Sequence, residues 1–151
     1  MHFVTGGAFN GKKKWVTTTY HISADNCSWF SGYNDSSIKM ISSIKELSSI
    51  TVIEGLEQFV KNTLTHSSDL EEVRDFWKAL FIKWHKWESE ADTRTLIVIG
   101  QDMSKGIVPI HKQDRNWRDL VGWCYQDLTQ TCDKVTTIWY GISQPLKGEC
   151  E

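Results

Sequence analysis

Phe3-Val4-Thr5-Gly6-Gly7-Ala8-Phe9-Asn10-Gly11-Lys12-Lys13 holds the clearest local signal in the chain. Gly6, four residues, Gly11 and Lys12 meet the spacing of a phosphate-binding P-loop, which asks next for Ser or Thr. Lys13 stands at that last position instead. Phe3-Val4-Thr5 reads as the end of a buried strand. A strand that runs into a glycine-rich turn and then a helix aims backbone N–H groups and a helix N-terminus at phosphate oxygens. Residues 2–5 are therefore predicted as a strand, 6–11 as the loop and 12 to about 21 as a helix. Val16, Thr17, Thr18 and Thr19 are β-branched and lose side-chain freedom in a helix, so this helix is expected to be short.

Working outward, a short strand is predicted near 27–31, with a turn at Gly32-Tyr33-Asn34-Asp35. A strand near 38–41 and a short helix near 43–48 follow. Ile50-Thr51-Val52-Ile53 is a continuous apolar run that ends in Glu54-Gly55, and 56–64 reads as a helix. Ser68 with Glu71 three residues on forms a capping box. It opens a helix in which Leu70, Val73, Trp77, Leu80, Trp84 and Trp87 recur every three or four residues. Residues 94–100 are another buried strand, 101–109 a loop, 112–132 a helix and 135–140 the last strand, followed by Gly141 and a tail. Strands of continuous apolar residues alternating with helices predict an α/β fold of P-loop type. Its mostly parallel sheet would carry helices on both faces in one domain over 1–151.

The length of 151 residues suits one domain with a sizeable core. A net charge of −2 and a pI near 6.2 argue against a general nucleic-acid or membrane-surface binder. No apolar leader and no stretch of transmembrane length are visible. Cys27, Cys124, Cys132 and Cys150 form no CxxC and no His–Cys spacing, so reduced thiols and a cytoplasmic setting are expected. Cys124 and Cys132, and the Trp stripe at 77, 84 and 87, are expected in the core. No histidine pair has metal-ligand spacing.

Parallel sheets bind ligands outside the carboxyl ends of their strands. That places Gly6, Gly7, Ala8, Phe9, Asn10, Gly11, Lys12 and Lys13 as the candidate nucleotide-binding loop. Lys12 would reach the outer phosphates. Glu54 reads either as a strand-end carboxylate or as an acid beside a metal. Asp102 reads either as a cap of its own turn or as a second acid. Lys12, Lys13 and Lys14 also admit a simpler reading as a solvated, anion-attracting patch. Arg115, Arg118 and Asp119 read as a solvated helix face.

Three further segments carry a resemblance. Gly106-Ile107-Val108-Pro109 after Asp102, Arg115-Asn116-Trp117-Arg118-Asp119-Leu120-Val121-Gly122, and Asp133-Lys134-Val135 with Tyr140-Gly141 follow the opening loop in order. Together they resemble the adenosylcobinamide kinase / adenosylcobinamide-phosphate guanylyltransferase family of cobalamin assembly. The resemblance covers 2–13 and 50–148 and fails between them. It implies a P-loop protein that phosphorylates cobinamide, a corrinoid alcohol, with ATP or GTP, transfers GMP through a guanylated histidine, and assembles as a trimer.

The chain departs from that pattern at three places. Lys13 replaces the Ser expected to bind Mg2+, which weakens the expected Mg2+ with ATP or GTP. The segment at 22–49 is short, and the paired histidines of the guanylated helix are missing. Tyr125 stands where the family helix carries a small polar residue. The resemblance thus implies a divergent member with the guanylyltransferase half lost. It is then either a kinase in which Lys12, Glu54 and Asp102 act, or a non-catalytic relative that binds nucleotide or corrinoid or serves as an assembly subunit.

Overall fold

A computed structural model describes residues 1–43 and 47–148. The described residues form, in order, β1 (His2–Gly6), α1 (Lys12–Thr19), β2 (Ser28–Ser31), α2 (Lys39–Ser42), β3 (Ile50–Glu54), α3 (Leu56–Leu64), α4 (Leu70–Ser89), β4 (Thr95–Gln101), α5 (Lys112–Thr131), β5 (Lys134–Trp139) and β6 (Ile142–Lys147). The strands form one sheet in the order β2-β3-β4-β1-β5-β6. β1 to β5 run parallel, and β6 returns antiparallel to β5. This is the expected α/β architecture, with a mostly parallel sheet.

The apolar runs behave as strands buried on both faces should. Phe3, Ile53, Leu96, Val98 and Val135 pack with α3, α4 and α5 on one side. Val4, Val52, Ile97, Ile99 and Ile138 pack with Val16 of α1 on the other, edged by Trp15, Tyr20 and Ile22. The stripe expected on the long helix is core: Trp77 and Trp84 are fully buried. Their indole N–H groups donate to Thr63 Oγ1 and to the Ile41 carbonyl, both at 3.0 Å, so neither buried polar atom is left unpaired. Cys124 and Cys132 are buried as expected, and burial pushes both thiols up to about 12. Arg74 grips the buried Asp127 with two hydrogen bonds of 2.8 and 2.9 Å and joins α4 to α5.

Three expectations about elements are corrected. Residues 39–42 form a helical turn, α2, where a strand was expected near 38–41. It presses the buried Ile41 into the core beneath Trp84, a tertiary contact that outweighs β-propensity. The short helix expected near 43–48 falls largely on 44–46, outside the described residues. Asp69, not Ser68, caps α4: its Oδ1 accepts from the Glu71 and Glu72 amides at 3.0 and 3.2 Å. A carboxylate there satisfies two otherwise unpaired donors and also complements the positive helix end. The segment after Gly141 is strand β6, exposed along its whole length. Its polar and small residues, and Pro145, hid it from a pattern search for buried strands.

Candidate functional site

The loop after β1 lies at the middle of the sheet's carboxyl edge, because β1 is flanked by β4 and β5. Gly6 pairs in register with Gln101, and the Asp102 amide donates to the Gly6 carbonyl at 2.9 Å. Gly6 has φ 146°, and a β-carbon there would lie 2.3 Å from the Ile138 carbonyl oxygen. Only glycine allows β5 that close. Asn10 is held from the other side, its carbonyl accepting from the Gly141 amide at 2.8 Å. The strand-end residues named from the sequence, 6–13, 54–55, 101–102 and 141, thus converge on one edge.

α1 begins at Lys12 after Gly11, which has φ 89° and offers no side-chain cap. Its first turn holds no acid and three lysines, Lys12, Lys13 and Lys14. Cations at a helix N-terminus oppose the dipole, so the uncapped turn is better matched to an anion than to its own side chains. Ala8 and Phe9 form the exposed crest of the loop, with Phe9 at φ 58°.

Lys12 reaches back across the loop. Its Nζ donates to the Gly6 and Gly7 carbonyls at 3.0 and 2.7 Å. Burial lowers its pKa below the ordinary lysine value, while the negative charges of Glu57, Glu54 and Asp102 oppose that shift. Two of these three carboxylates, Glu54 and Asp102, are candidates named from the sequence, and none of the three is paired directly with the ammonium, whose hydrogen bonds go to the loop carbonyls.

The third, Glu57, was missed. It is 1% exposed. Its carboxylate accepts from the Tyr33 hydroxyl, from the Gln101 amide at 3.0 Å and from the Tyr125 hydroxyl at 3.3 Å. These bonds tie the N-terminus of α3 to the turn after β2, to the end of β4 and to α5. The one proton of the Tyr125 hydroxyl is shared with the Gln101 carbonyl, the nearer acceptor at 2.8 Å. Burial, and next the charge of Glu57, raise its phenol pKa well above the usual value. A β-carbon at Gly100 would lie 2.3 Å from the Tyr125 hydroxyl, so this glycine makes room for the ring. In sequence Glu57 looks like any first-turn acid; only the fold surrounds it with donors.

Glu54 stands at the tip of β3, mostly buried. Its Oε2 accepts from Trp29 Nε1 at 2.8 Å and lies 3.8 Å from Lys13 Nζ. The Lys13 ammonium also sits 5.0 Å from the centre of the Trp29 ring. Asp102 caps its own turn: Oδ1 accepts from the Ser104 amide at 2.8 Å and its hydroxyl at 2.5 Å. Arg115 and Arg118 depart from the solvated face expected of them. Arg115 donates to the Pro109 carbonyl at 3.1 Å and also to that of Ile110, and Arg118 to the Ser104 carbonyl at 2.9 Å, so both brace the 102–110 loop. Asp119 remains exposed. Between this loop and α5 lies a cleft of about 400 Å³, lined by Gln101, Asp102, Met103, Lys105 and Arg118 among others. A larger cleft of about 470 Å³ shares Asp114 and Trp117 with it but includes no strand-end residue.

The donor set does not fit a magnesium ion held as in a hydroxyl-bearing P-loop. Lys13 presents a cation where a neutral ligand is required, and that cation already faces Glu54. No group of three or more His, Cys, Asp or Glu among the described residues is arranged to hold a metal ion.

Comparison with known proteins identifies the family. Residues 21–146 match the family model described as cobinamide kinase / cobinamide phosphate guanyltransferase. The chain belongs to that family. The matched segment includes 21–49, where the sequence reading found no resemblance, and begins just after α1, so the glycine-rich loop lies outside it. The chain is also similar to the bifunctional adenosylcobalamin biosynthesis protein CobP of Pseudomonas aeruginosa, at 33% identity over 54 residues. That match covers 36% of this chain and 31% of the relative's length. The cobinamide kinase / guanyltransferase family is one of cobalamin biosynthesis, and the α/β fold is consistent with a P-loop domain. No helix among the described residues is long and apolar enough to cross a membrane.

Proposed function

We propose that this family member binds a nucleoside triphosphate, ATP or GTP, on the loop from Gly6 to Lys13 and phosphorylates a corrinoid alcohol of cobinamide type. The observation that carries the reading is Lys12. Its ammonium bonds the Gly6 and Gly7 carbonyls across the loop at the uncapped start of α1, and the negative charges of Glu57, Glu54 and Asp102 act on it. Phosphoryl transfer asks little covalent chemistry of a protein and much positioning and charge neutralisation. In this reading the amides of 7–12 cradle the phosphates, and Lys12 leaves the Gly6 and Gly7 carbonyls to neutralise charge on the transferred group. The substrate hydroxyl attacks the terminal phosphorus, the bond to the bridging oxygen breaks, and the hydroxyl proton passes to Asp102 or Glu54. The nucleoside diphosphate leaves. The cleft beside Asp102, with the exposed Ile107 at its rim, suits a large and partly apolar acceptor. The part of Mg2+ is weakened at Lys13, and the guanylyltransferase half is lost with the histidine pair.

A second reading, a non-catalytic relative that keeps nucleotide or corrinoid binding or acts as an assembly subunit, draws on one observation. The Lys13 ammonium occupies the side of the loop where a metal would assist transfer.

Thermal shift with ATP and GTP, each with and without magnesium, tests the site. Nucleotide should raise Tm and Lys12→Ala should abolish the rise; no shift under any condition sinks nucleotide binding. Turnover of cobinamide by the same samples separates the kinase from the non-catalytic relative. Intact mass after GTP should show no covalent GMP, and a stoichiometric adduct would restore the guanylyltransferase.

A further inference from the structure

We propose that the Lys13 ammonium takes the place of the magnesium ion at this loop, so that the chain binds the polyphosphate of its nucleotide as the metal-free anion. The inference rests on the nucleotide-binding reading of 6–13 and concerns which form of the nucleotide enters.

One sequence position and two contacts place the ammonium. Lys13 is the residue after the loop lysine, the position whose hydroxyl would hold magnesium. Its Nζ lies 3.8 Å from Glu54 Oε2, the strand-tip carboxylate that would otherwise face a metal or its waters. It also rests over the Trp29 ring at 5.0 Å, and Trp29 Nε1 donates to the same Glu54 oxygen at 2.8 Å. Glu54 and Trp29 thus form a seat for one monovalent cation, and the chain supplies that cation itself. A divalent ion bound there would have to expel the ammonium or accept it as a like-charged neighbour. The side chain is two-thirds exposed, so it is free to swing from Glu54 onto an arriving phosphate.

The arrangement also has a consequence for charge. Lys12 on the loop and Lys13 beside it give two ammonium groups within one turn of the positive end of α1. A metal-free triphosphate has four negative charges and is attracted to that turn more strongly than its magnesium complex, which has two fewer.

Isothermal titration calorimetry of the full chain with ATP and with GTP, in EDTA and in excess magnesium, tests the proposal. Wild type should bind at least as tightly in EDTA as in magnesium. Lys13→Ser should lose roughly tenfold or more in EDTA, the scale of one charge-assisted contact, and regain affinity when magnesium is added. Lys13→Arg, which keeps the charge, should retain the preference for the metal-free form. Wild-type binding that requires magnesium overturns the inference while leaving the nucleotide site intact. So does a Lys13→Ser variant that binds like wild type in both buffers. Absence of binding in both buffers removes the site itself.

Discussion

His2 and Glu57 are buried ionisable residues with different solutions to burial. His2 is 4% exposed, its ring nitrogens 2.5 Å from the Tyr20 hydroxyl and 2.8 Å from Thr136 Oγ1. Burial, then the charges of Lys134 and the amino terminus, lower its pKa from 6.5 to about 4. The unfolded chain therefore binds a proton between those pH values that the folded chain refuses. The contribution is present in full above pH 6.5 and is lost as pH falls towards 4, by about 3 kcal/mol for a shift of this size. Denaturant melts of wild type and His2→Gln from pH 7 to 4 should show the wild type losing more stability than the variant; parallel curves would mean that His2 titrates normally in the fold. Glu57 instead gathers donors from three other elements. Nothing in Gly55-Leu56-Glu57 announces that, because the donors lie 24, 44 and 68 residues away in sequence. Gly6, Gly11 and Lys12 were legible because a loop motif is a local matter of spacing and backbone freedom.

Among the elements, those with long periodic or continuous apolar patterns matched their expected bounds within a residue or two. β3, α3, α4, β4 and α5 are examples, since burial of a whole face leaves a pattern in the chain. Of the short pieces, β1, β2 and β5 also matched, whereas α2 and β6 did not. α2 is a single turn whose conformation depends on where Ile41 meets Trp84. β6 is exposed along its length and is held by backbone pairing to β5 and by Lys147, which donates to the Thr129 and Gln130 carbonyls of α5. The start of α4 shows how fine the local rules are. Ser68 and Asp69 are both good caps, and the backbone of Asp69, at φ −87° and ψ 107°, sits where its carboxylate meets two amides. Asp69→Ala should destabilise the protein by about 1 kcal/mol, while Ser68→Ala should change it little. Chemical denaturation of the two variants decides the assignment, and a larger loss at Ser68 would reverse it.

At the scale of the molecule, β6 leaves an open edge. Ile142 and Leu146 are 72% and 60% exposed on it. An open edge strand that exposes two apolar side chains can pair with another chain, and this feature supports the proposal of a homo-oligomer, a trimer by resemblance. Sedimentation velocity at micromolar concentration should give an oligomer, and Ile142→Lys with Leu146→Lys should return a monomer. A wild-type monomer would remove the proposal, and an oligomer unchanged in the variant would move the interface elsewhere.

By itself the sequence determined the α/β class and most strand and helix positions, and it singled out the loop from Gly6 to Lys13 as the candidate site. Those properties follow from apolar periodicity and glycine placement, which neighbouring residues encode. The tertiary structure alone decided that Glu57 and Tyr125 join the site, that Arg115 and Arg118 brace a loop, and that Lys13 reaches Glu54 and Trp29. Each depends on the strand order β2-β3-β4-β1-β5, which brings remote segments within hydrogen-bonding distance at one edge of the sheet. No local pattern records a distance between residues that only folding makes neighbours.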